Sequence, residues 1–143
     1  MKIVITSDHG GFELKEGLIA YLKQSHEVED LGTNDLASVD YPDYAKAISQ
    51  KILTGAYDFG IALCGTGIGI SIACNRYKGI RCALAYSMKT AKLAKEHNNA
   101  NIISFGGRTT TLIQAQKRLE VFMKAKFLNG RHLQRINKIE GDC

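Results

Sequence analysis

The sequence predicts an α/β fold built on a parallel sheet with helices on both faces. Short apolar runs alternate with stretches of helical spacing along the whole chain, the pattern of strands joined by crossover helices. One run, Phe59 to Leu63, contains no polar residue, as expected of a strand buried on both sides. It leads directly into a glycine-rich loop, Cys64-Gly65-Thr66-Gly67-Ile68-Gly69, with an apolar helix beyond.

The elements follow in order. Ile3 to Thr6 is a short strand ending in the polar turn Ser7-Asp8-His9-Gly10-Gly11. Leu14, Leu18, Tyr21 and Leu22 then share one helical face, with Ser7 or Asp8 as the candidate cap. His26 to Leu31 reads as a second strand, closed by Gly32, and Thr33 to Asp40 has no period. Pro42 stands where a helix can start, with Ala45, Ile48 and Ile52 facing inward. After the glycine loop comes a helix over Ile70 to Asn75, a strand over Arg81 to Ala85, and a helix from Met88 to Glu96 capped by Ser87. Asn101 to Phe105 is the last strand, followed by Gly106-Gly107. Leu112, Ala115, Leu119, Phe122 and Met123 mark the next helix, and Leu133, Ile136 and Ile139 a final one. In such sheets ligands bind beyond the carboxyl ends of the strands. Asp8, His9, Cys64 to Gly69, Tyr86, and Gly106 to Arg108 are therefore expected on one rim.

The bulk properties narrow the function. A chain of 143 residues, 45% hydrophobic and 23% charged, fits one domain over 1–143 that needs no disulfide or metal staple. The net charge of +5 is spread without a basic run, which suits a small anionic substrate and falls short of a nucleic-acid binder. Cys64, Cys74, Cys82 and Cys143 form no C-x-x-C pair and lack zinc-site spacing, so no metal is expected. No apolar stretch approaches the ~20 residues of a membrane helix. The opening Met1-Lys2-Ile3-Val4-Ile5 reads as a strand rather than a signal peptide. Reduced thiols in the cytoplasm are the expected setting.

The glycine loop is the strongest chemical signal. Alternating glycines let a loop turn sharply and bring backbone N–H groups to a ligand, and the following helix adds its positive end. A thiol at the strand end feels the same field, which favours its thiolate form. A rival reading makes Cys64 an inert core thiol, against which its place at a strand end argues. A dinucleotide site is disfavoured, because Ile70 stands where G-x-G-x-x-G needs its third glycine, and no acidic ribose partner lies in Ala83-Leu84-Ala85-Tyr86. A thiol-phosphatase cradle would need arginine where Ile70 stands, and the P-loop lysine is also missing.

His97, in Glu96-His97-Asn98-Asn99-Ala100-Asn101, reads as a loop histidine between helix and strand, and by itself as a surface one. A helix C-terminus lies at the opposite end of the sheet from the rim, so His97 is expected to serve a neighbouring subunit's site. Arg131 and Arg135 share a helix face and can grip one phosphate with forked hydrogen bonds; alone they read as a solvated basic face. Arg108 is ambiguous in the same way, and Asp8-His9 is also a cap-like pair.

The ordered combination is more specific than its parts. It runs Asp8-His9-Gly10-Gly11-Phe12-Glu13-Leu14-Lys15; Asp40-Tyr41-Pro42; Cys64 through Ala73; Gly79-Ile80-Arg81; His97-Asn98-Asn99-Ala100-Asn101; Phe105-Gly106-Gly107-Arg108; and Gly130-Arg131-His132 with Arg135. This resembles the type B ribose-5-phosphate isomerases, in a family that also acts on galactose 6-phosphate and allose 6-phosphate, over essentially the whole chain. The resemblance implies a Rossmann-like three-layer sandwich with a five-stranded parallel sheet flanked by helices. It implies interconversion of D-ribose 5-phosphate and D-ribulose 5-phosphate, in the non-oxidative branch of the pentose phosphate pathway, without a metal or organic cofactor. It also implies a homodimer or homotetramer with two subunits contributing to each site. Carried over by position, Cys64 is the proton-transferring base and His97 the acid that helps open the sugar ring. Asp8, His9, the backbone of Gly65, Thr66, Gly67, Ile68 and Gly69, and Asn98 bind the sugar. Arg108, Arg131 and Arg135 bind phosphate and substrate. Relatives with serine at the cysteine position use a glutamate where this chain has Ser71, so the chain is of the cysteine type. Asn99 departs from the aspartate of many relatives, at a non-catalytic position.

Two rival readings remain. The sugar could be a six-carbon phosphate, although His97-Asn98 and the paired arginines favour five carbons. A non-catalytic sugar-phosphate sensor would need neither a base nor an acid, so Cys64 and His97 together argue against it.

Overall fold

The structure is a computed structural model describing residues 1–141. Cys143, one of the four cysteines noted above, lies outside the described residues. Strand β1 (Lys2–Ser7) leads through a single 3-10 turn into helix α1 (Phe12–Leu22), then β2 (Glu27–Asp30) and α2 (Tyr41–Leu53). The remaining elements are β3 (Phe59–Cys64), α3 (Ile68–Cys74), β4 (Cys82–Leu84), α4 (Met88–Asn98), β5 (Ile102–Gly106), α5 (Leu112–Lys124) and α6 (Arg131–Glu140). The five strands are all parallel, in the order β2-β1-β3-β5-β4.

Strand alternation divides the core into two layers. Ile3, Ile5, Ile61, Leu63, Ile103 and Phe105 face α1, α4 and α5, where Leu18, Ala91, Leu119 and Phe122 close the packing. Val4, Ala62, Cys64 and Ile102 face α2 and α3, meeting Ala45, Ile48, Ile52, Ile70 and Cys74. Every residue of β3 is buried, the consequence of helices on both its faces. Each fully buried Ile, Leu or Phe contributes about 1.5–3 kcal/mol by leaving water, and these two layers hold the sheet rigid behind the rim.

Three expectations need correction. The fourth helix does not stop at Glu96 but runs through His97 to Asn98, so His97 is a last-turn helical residue, half-buried, rather than a loop residue. Helix-forming polar residues and loop residues look alike on a solvent face. The terminator is Asn99, whose left-handed φ of 43° ends the helix. Helix α6 does hold Leu133, Ile136 and Ile139 as expected, with His132 and Ile136 on its inner face and Leu133 and Ile139 44% and 59% exposed. The helix after the glycine loop starts at Ile68, two residues early, placing Ile68 and Gly69 in its first turn. Strand ends are also shorter than the apolar runs: His26, Leu31, Arg81, Ala85 and Asn101 flank strands rather than join them.

Candidate active site

The strand order places a topological switch between β1 and β3. Chain leaving β1 turns outward to β2, whereas β3 lies on the other side, and the carboxyl ends of these two strands open a crevice. Asp8 follows β1 directly and Cys64 ends β3, so the two chemical signals flank that crevice. The Asp8 amide donates to the Leu63 carbonyl at 3.1 Å, tying the two strand ends together.

Glycines let three loops meet backbone to backbone here. A Cβ on Gly107 would lie 2.3 Å from the Gly10 carbonyl oxygen, one on Gly11 2.6 Å from Leu63 Cβ, and one on Gly106 2.5 Å from the Thr66 carbonyl carbon. Contacts this short exclude any side chain. They draw the β1, β3 and β5 loops into one compact floor.

On that floor Asp8, 6% exposed, accepts hydrogen bonds at Oδ1 from the Gly10 and Gly11 amides, at 2.8 and 3.2 Å. It caps the 3-10 turn His9–Gly11 rather than α1 itself. The Nδ1 of His9 accepts from the Val39 amide at 3.2 Å, which leaves the proton of the neutral ring on Nε2. The same bond pins the irregular 33–40 segment over the rim. The Arg108 guanidinium lies against Gly65, where a Cβ would meet Nη1 at 3.0 Å, and the Arg108 amide donates to the Gly65 carbonyl at 2.9 Å. His9, Gly10, Glu13, Leu36, Gly107 and Arg108 line a cavity of about 330 Å³, within the size range of small-ligand sites.

Cys64 is 4% exposed, and its Sγ accepts a hydrogen bond from the Gly67 amide at 3.1 Å. Gly67 adopts φ 78° to present that amide, a conformation an L side chain resists. A Cβ there would also strike Leu84 and the Phe105 backbone, at 2.7 and 2.8 Å. The other described cysteines differ. Cys82 is pushed well up by its hydrogen bond with the Cys74 thiol and then by burial, which keeps it protonated, and Cys74 faces the Ala45 carbonyl.

Asn98, His97, Arg131 and Arg135 do not join this group. His97 and Asn98 end α4, just before β5 enters the sheet at Ile102 opposite Gly60. Cys64 pairs with Gly106, four residues further along the strand, or about 13 Å. Helix α6 packs on the same far end. His132 stacks on His97, and Glu140 forms an ion pair with Arg81 and accepts from the Gly79 amide at 2.8 Å. The expected site residues thus fall into two clusters at opposite ends of one sheet: Asp8, His9, Gly65 to Gly69, Cys64 and Arg108 on the rim, and His97, Asn98, Arg131 and Arg135 beyond its other end. Tyr86, expected on the rim, is 71% exposed beside the β4 edge.

Two neighbours carried no role in the sequence. The Tyr41 ring covers Gly69, where a Cβ would lie 2.7 Å from Cζ; the only signal was its place in Asp40-Tyr41-Pro42. Lys15 is fully buried and bonds Asp30 at 2.6 Å, and Asp30 accepts from the Gly32 amide at 2.9 Å. Helical periodicity reads a lysine as solvated, so nothing in the pattern announced it.

A parallel α/β sheet whose switch point holds a thiol under an amide, a carboxylate and a guanidinium, with no nucleotide fingerprint, defines an enzyme that moves protons on a small anionic substrate. The sequence profile of the ribose/galactose isomerases matches residues 3–139. The chain is similar to a ribose 5-phosphate isomerase from Thermotoga maritima, at 52% identity and TM-score 0.95, covering 97% of each chain. It is similar to ribose-5-phosphate isomerase B of Mycoplasma genitalium, whose structure holds ribulose-5-phosphate, at 42% identity and TM-score 0.91, covering 97% of this chain and 93% of that one. Ribose-5-phosphate isomerase B of Escherichia coli is 39% identical over 96% of this chain and 93% of its own length. The chain belongs to the ribose/galactose isomerase family and is an aldose–ketose isomerase.

Proposed function

We propose that this chain interconverts D-ribose 5-phosphate and D-ribulose 5-phosphate, with Cys64 as the base. The observation that carries the reading is the Cys64 sulfur held under the Gly67 amide at the switch point. The hydrogen next to a sugar carbonyl is weakly acidic, and its removal gives an enediolate. The Cys64 thiolate takes the proton from C2 and returns it to C1, an assistance worth about 10²–10⁴-fold. Amides of Gly65 to Gly69 hold the developing oxyanion, a donor worth roughly 3–4 kcal/mol. Asp8, His9 and Asn98 bind the sugar hydroxyls, and Arg108, Arg131 and Arg135 anchor the phosphate so that the reacting carbons meet the sulfur in register. His97 moves protons between the ring oxygen and hydroxyl to open the furanose.

Because the far-end cluster cannot reach Cys64 within one chain, each site is completed by a second copy. The surface beside the rim fits such a partner. Ile68 and Ile72 on α3 are 52% and 61% exposed, and Met88 after the edge strand β4 is 55% exposed. Next to them lies a groove of about 460 Å³ lined by Leu84, Tyr86, Leu93 and Ile139. A homodimer, or a tetramer of two such dimers, buries this surface. Among the described residues no helix is long and apolar enough to cross a membrane, and we place the enzyme in the cytoplasm, in the non-oxidative branch of the pentose phosphate pathway.

Purified protein assayed in parallel with ribose 5-phosphate, allose 6-phosphate and galactose 6-phosphate tests the reading. Turnover of the five-carbon sugar well above the six-carbon ones supports it. Preference for a six-carbon phosphate would move the chain to the other branch of its family, and binding without turnover of any would make it a sensor.

A further inference from the structure

His132 sits in the Gly130-Arg131-His132 motif between two arginines' worth of phosphate-binding helix, yet it is one of the two inward residues of α6 and only 8% exposed. Its ring lies parallel to that of His97, with centroids 4.2 Å apart and planes inclined by 12°. Two successive left-handed residues, Asn129 at φ 57° and Gly130 at φ 56°, make the turn that lays α6 on the end of α4. The approach to that turn is tied to α4 by the Leu128 amide donating to the Glu96 carbonyl at 3.0 Å. The stack is therefore set by backbone geometry on both sides.

An imidazole that donates a proton to one particular oxygen must hold one orientation. In many sites the second ring nitrogen is tethered to a carboxylate or carbonyl. Here neither ring nitrogen of His97 has a hydrogen-bond partner among the described residues, and the ring contact with His132 is what fixes it. We propose that His132 is a positioning residue for His97, a flat buried platform that holds the acid's imidazole edge toward the sugar of the site it serves. This rests on the reading of His97 as the ring-opening acid. The charges facing His132 are Arg131 and Arg135 on its own helix and His97 on α4. Burial, followed by those three, pushes the His132 pKa below the usual histidine range, which favours its neutral form. A neutral ring face accepts either protonation state of His97 as it cycles.

The chemistry of the substrates supplies a selective test. Ribose 5-phosphate is a furanose and must open, whereas ribulose 5-phosphate, with its carbonyl at C2 and its terminal oxygen esterified, is already open. The full-length enzyme and its His132→Ala, His132→Phe and His97→Ala variants are compared in two assays. One is turnover of ribose 5-phosphate; the other is exchange of the C1 proton of ribulose 5-phosphate with deuterated water. His132→Ala should lower kcat for ribose 5-phosphate by about tenfold to a hundredfold with KM unchanged, the scale of a misplaced catalytic group. C1 exchange should persist, and His132→Phe, which keeps the flat ring, should recover most of the loss. The ring-current shift of the His97 Hε1 proton should vanish in the Ala variant and survive in the Phe variant. A raised KM with unchanged kcat, an equal fall in both assays, or no rescue by Phe would overturn the proposal. If His97→Ala keeps full turnover, the acid assignment falls and this inference falls with it. If His97→Ala is inactive toward ribose 5-phosphate while His132→Ala is normal, only the platform falls.

Discussion

The sulfur of Cys64 is distinguished by what touches it. Burial alone would make it one more core thiol, like Cys74. The Gly67 amide, delivered by a left-handed glycine, gives the sulfur a backbone donor that a packed core lacks. Replacing Cys64 by alanine removes the base and leaves the amides, Asp8 and Arg108 in place. Turnover should fall at least about a hundredfold, while calorimetry still detects ribulose 5-phosphate binding; near-normal turnover would remove Cys64 from the mechanism. The residues of this cluster were legible because strand ends and alternating glycines leave a strong mark in sequence. Lys15 was not, because one buried lysine on an amphipathic helix is indistinguishable by period from a solvated one. His132 was hidden for a related reason: periodicity does not separate a buried histidine from a solvated one.

At the scale of elements, α6 carries both the arginines proposed to hold the phosphate and the ring proposed to support His97. Arg131 and Arg135 lie one turn apart on its exposed side, where we propose that they capture the substrate phosphate. Either one changed to alanine should mainly raise KM for ribose 5-phosphate, and an unchanged KM in a steady-state assay would count against phosphate binding there. The docking of α6 should also depend on pH. Because folding lowers the His132 pKa from its ordinary value near 6.5, the undocked helix binds protons more readily than the docked one. Stability from the stack is complete above about pH 6.5 and is lost as pH falls through the lower folded value. Amide protection factors in α6, corrected for the intrinsic pH dependence of exchange, should fall on acidification toward pH 5, with a much flatter profile in His132→Phe; identical profiles would dismiss the idea. Element identity was largely readable, since α2 buries the three residues its period named, Ala45, Ile48 and Ile52. Boundaries were not, because the end of α4 depends on the backbone preference of the single residue Asn99.

For the whole molecule, the separation of the two clusters underlies the proposal of a dimer with shared sites. Cys64→Ala and His97→Ala should each be inactive with ribose 5-phosphate, yet spoil different halves of the site. In a shared-site dimer, one site of a mixed pair receives both defects and the other receives neither. Mixing equal amounts and allowing subunits to exchange should restore about a quarter of the wild-type rate, since half the dimers are mixed and each has one intact site. No recovery, with exchange verified by mass spectrometry, would show that the site closes within one chain. Sequence could locate the far-end cluster opposite the rim, because helix polarity in a parallel sheet is fixed. It could not display the surface proposed to receive a second copy, since Ile68 and Ile72 look like core residues until α3 is seen to turn them outward.

The seams at Gly10–Gly107, Gly11–Leu63 and Gly106–Thr66 admit not even a methyl group. The centre of the rim is thus closed to evolutionary tinkering, and its shape is inherited whole or not at all. A lineage that adapts this scaffold to a longer sugar has to carve room at the margins instead: at Leu36, at Tyr41, or on whatever the neighbouring copy brings. Divergence in diet within such a family should be written in those borders, around an unchanging glycine keystone.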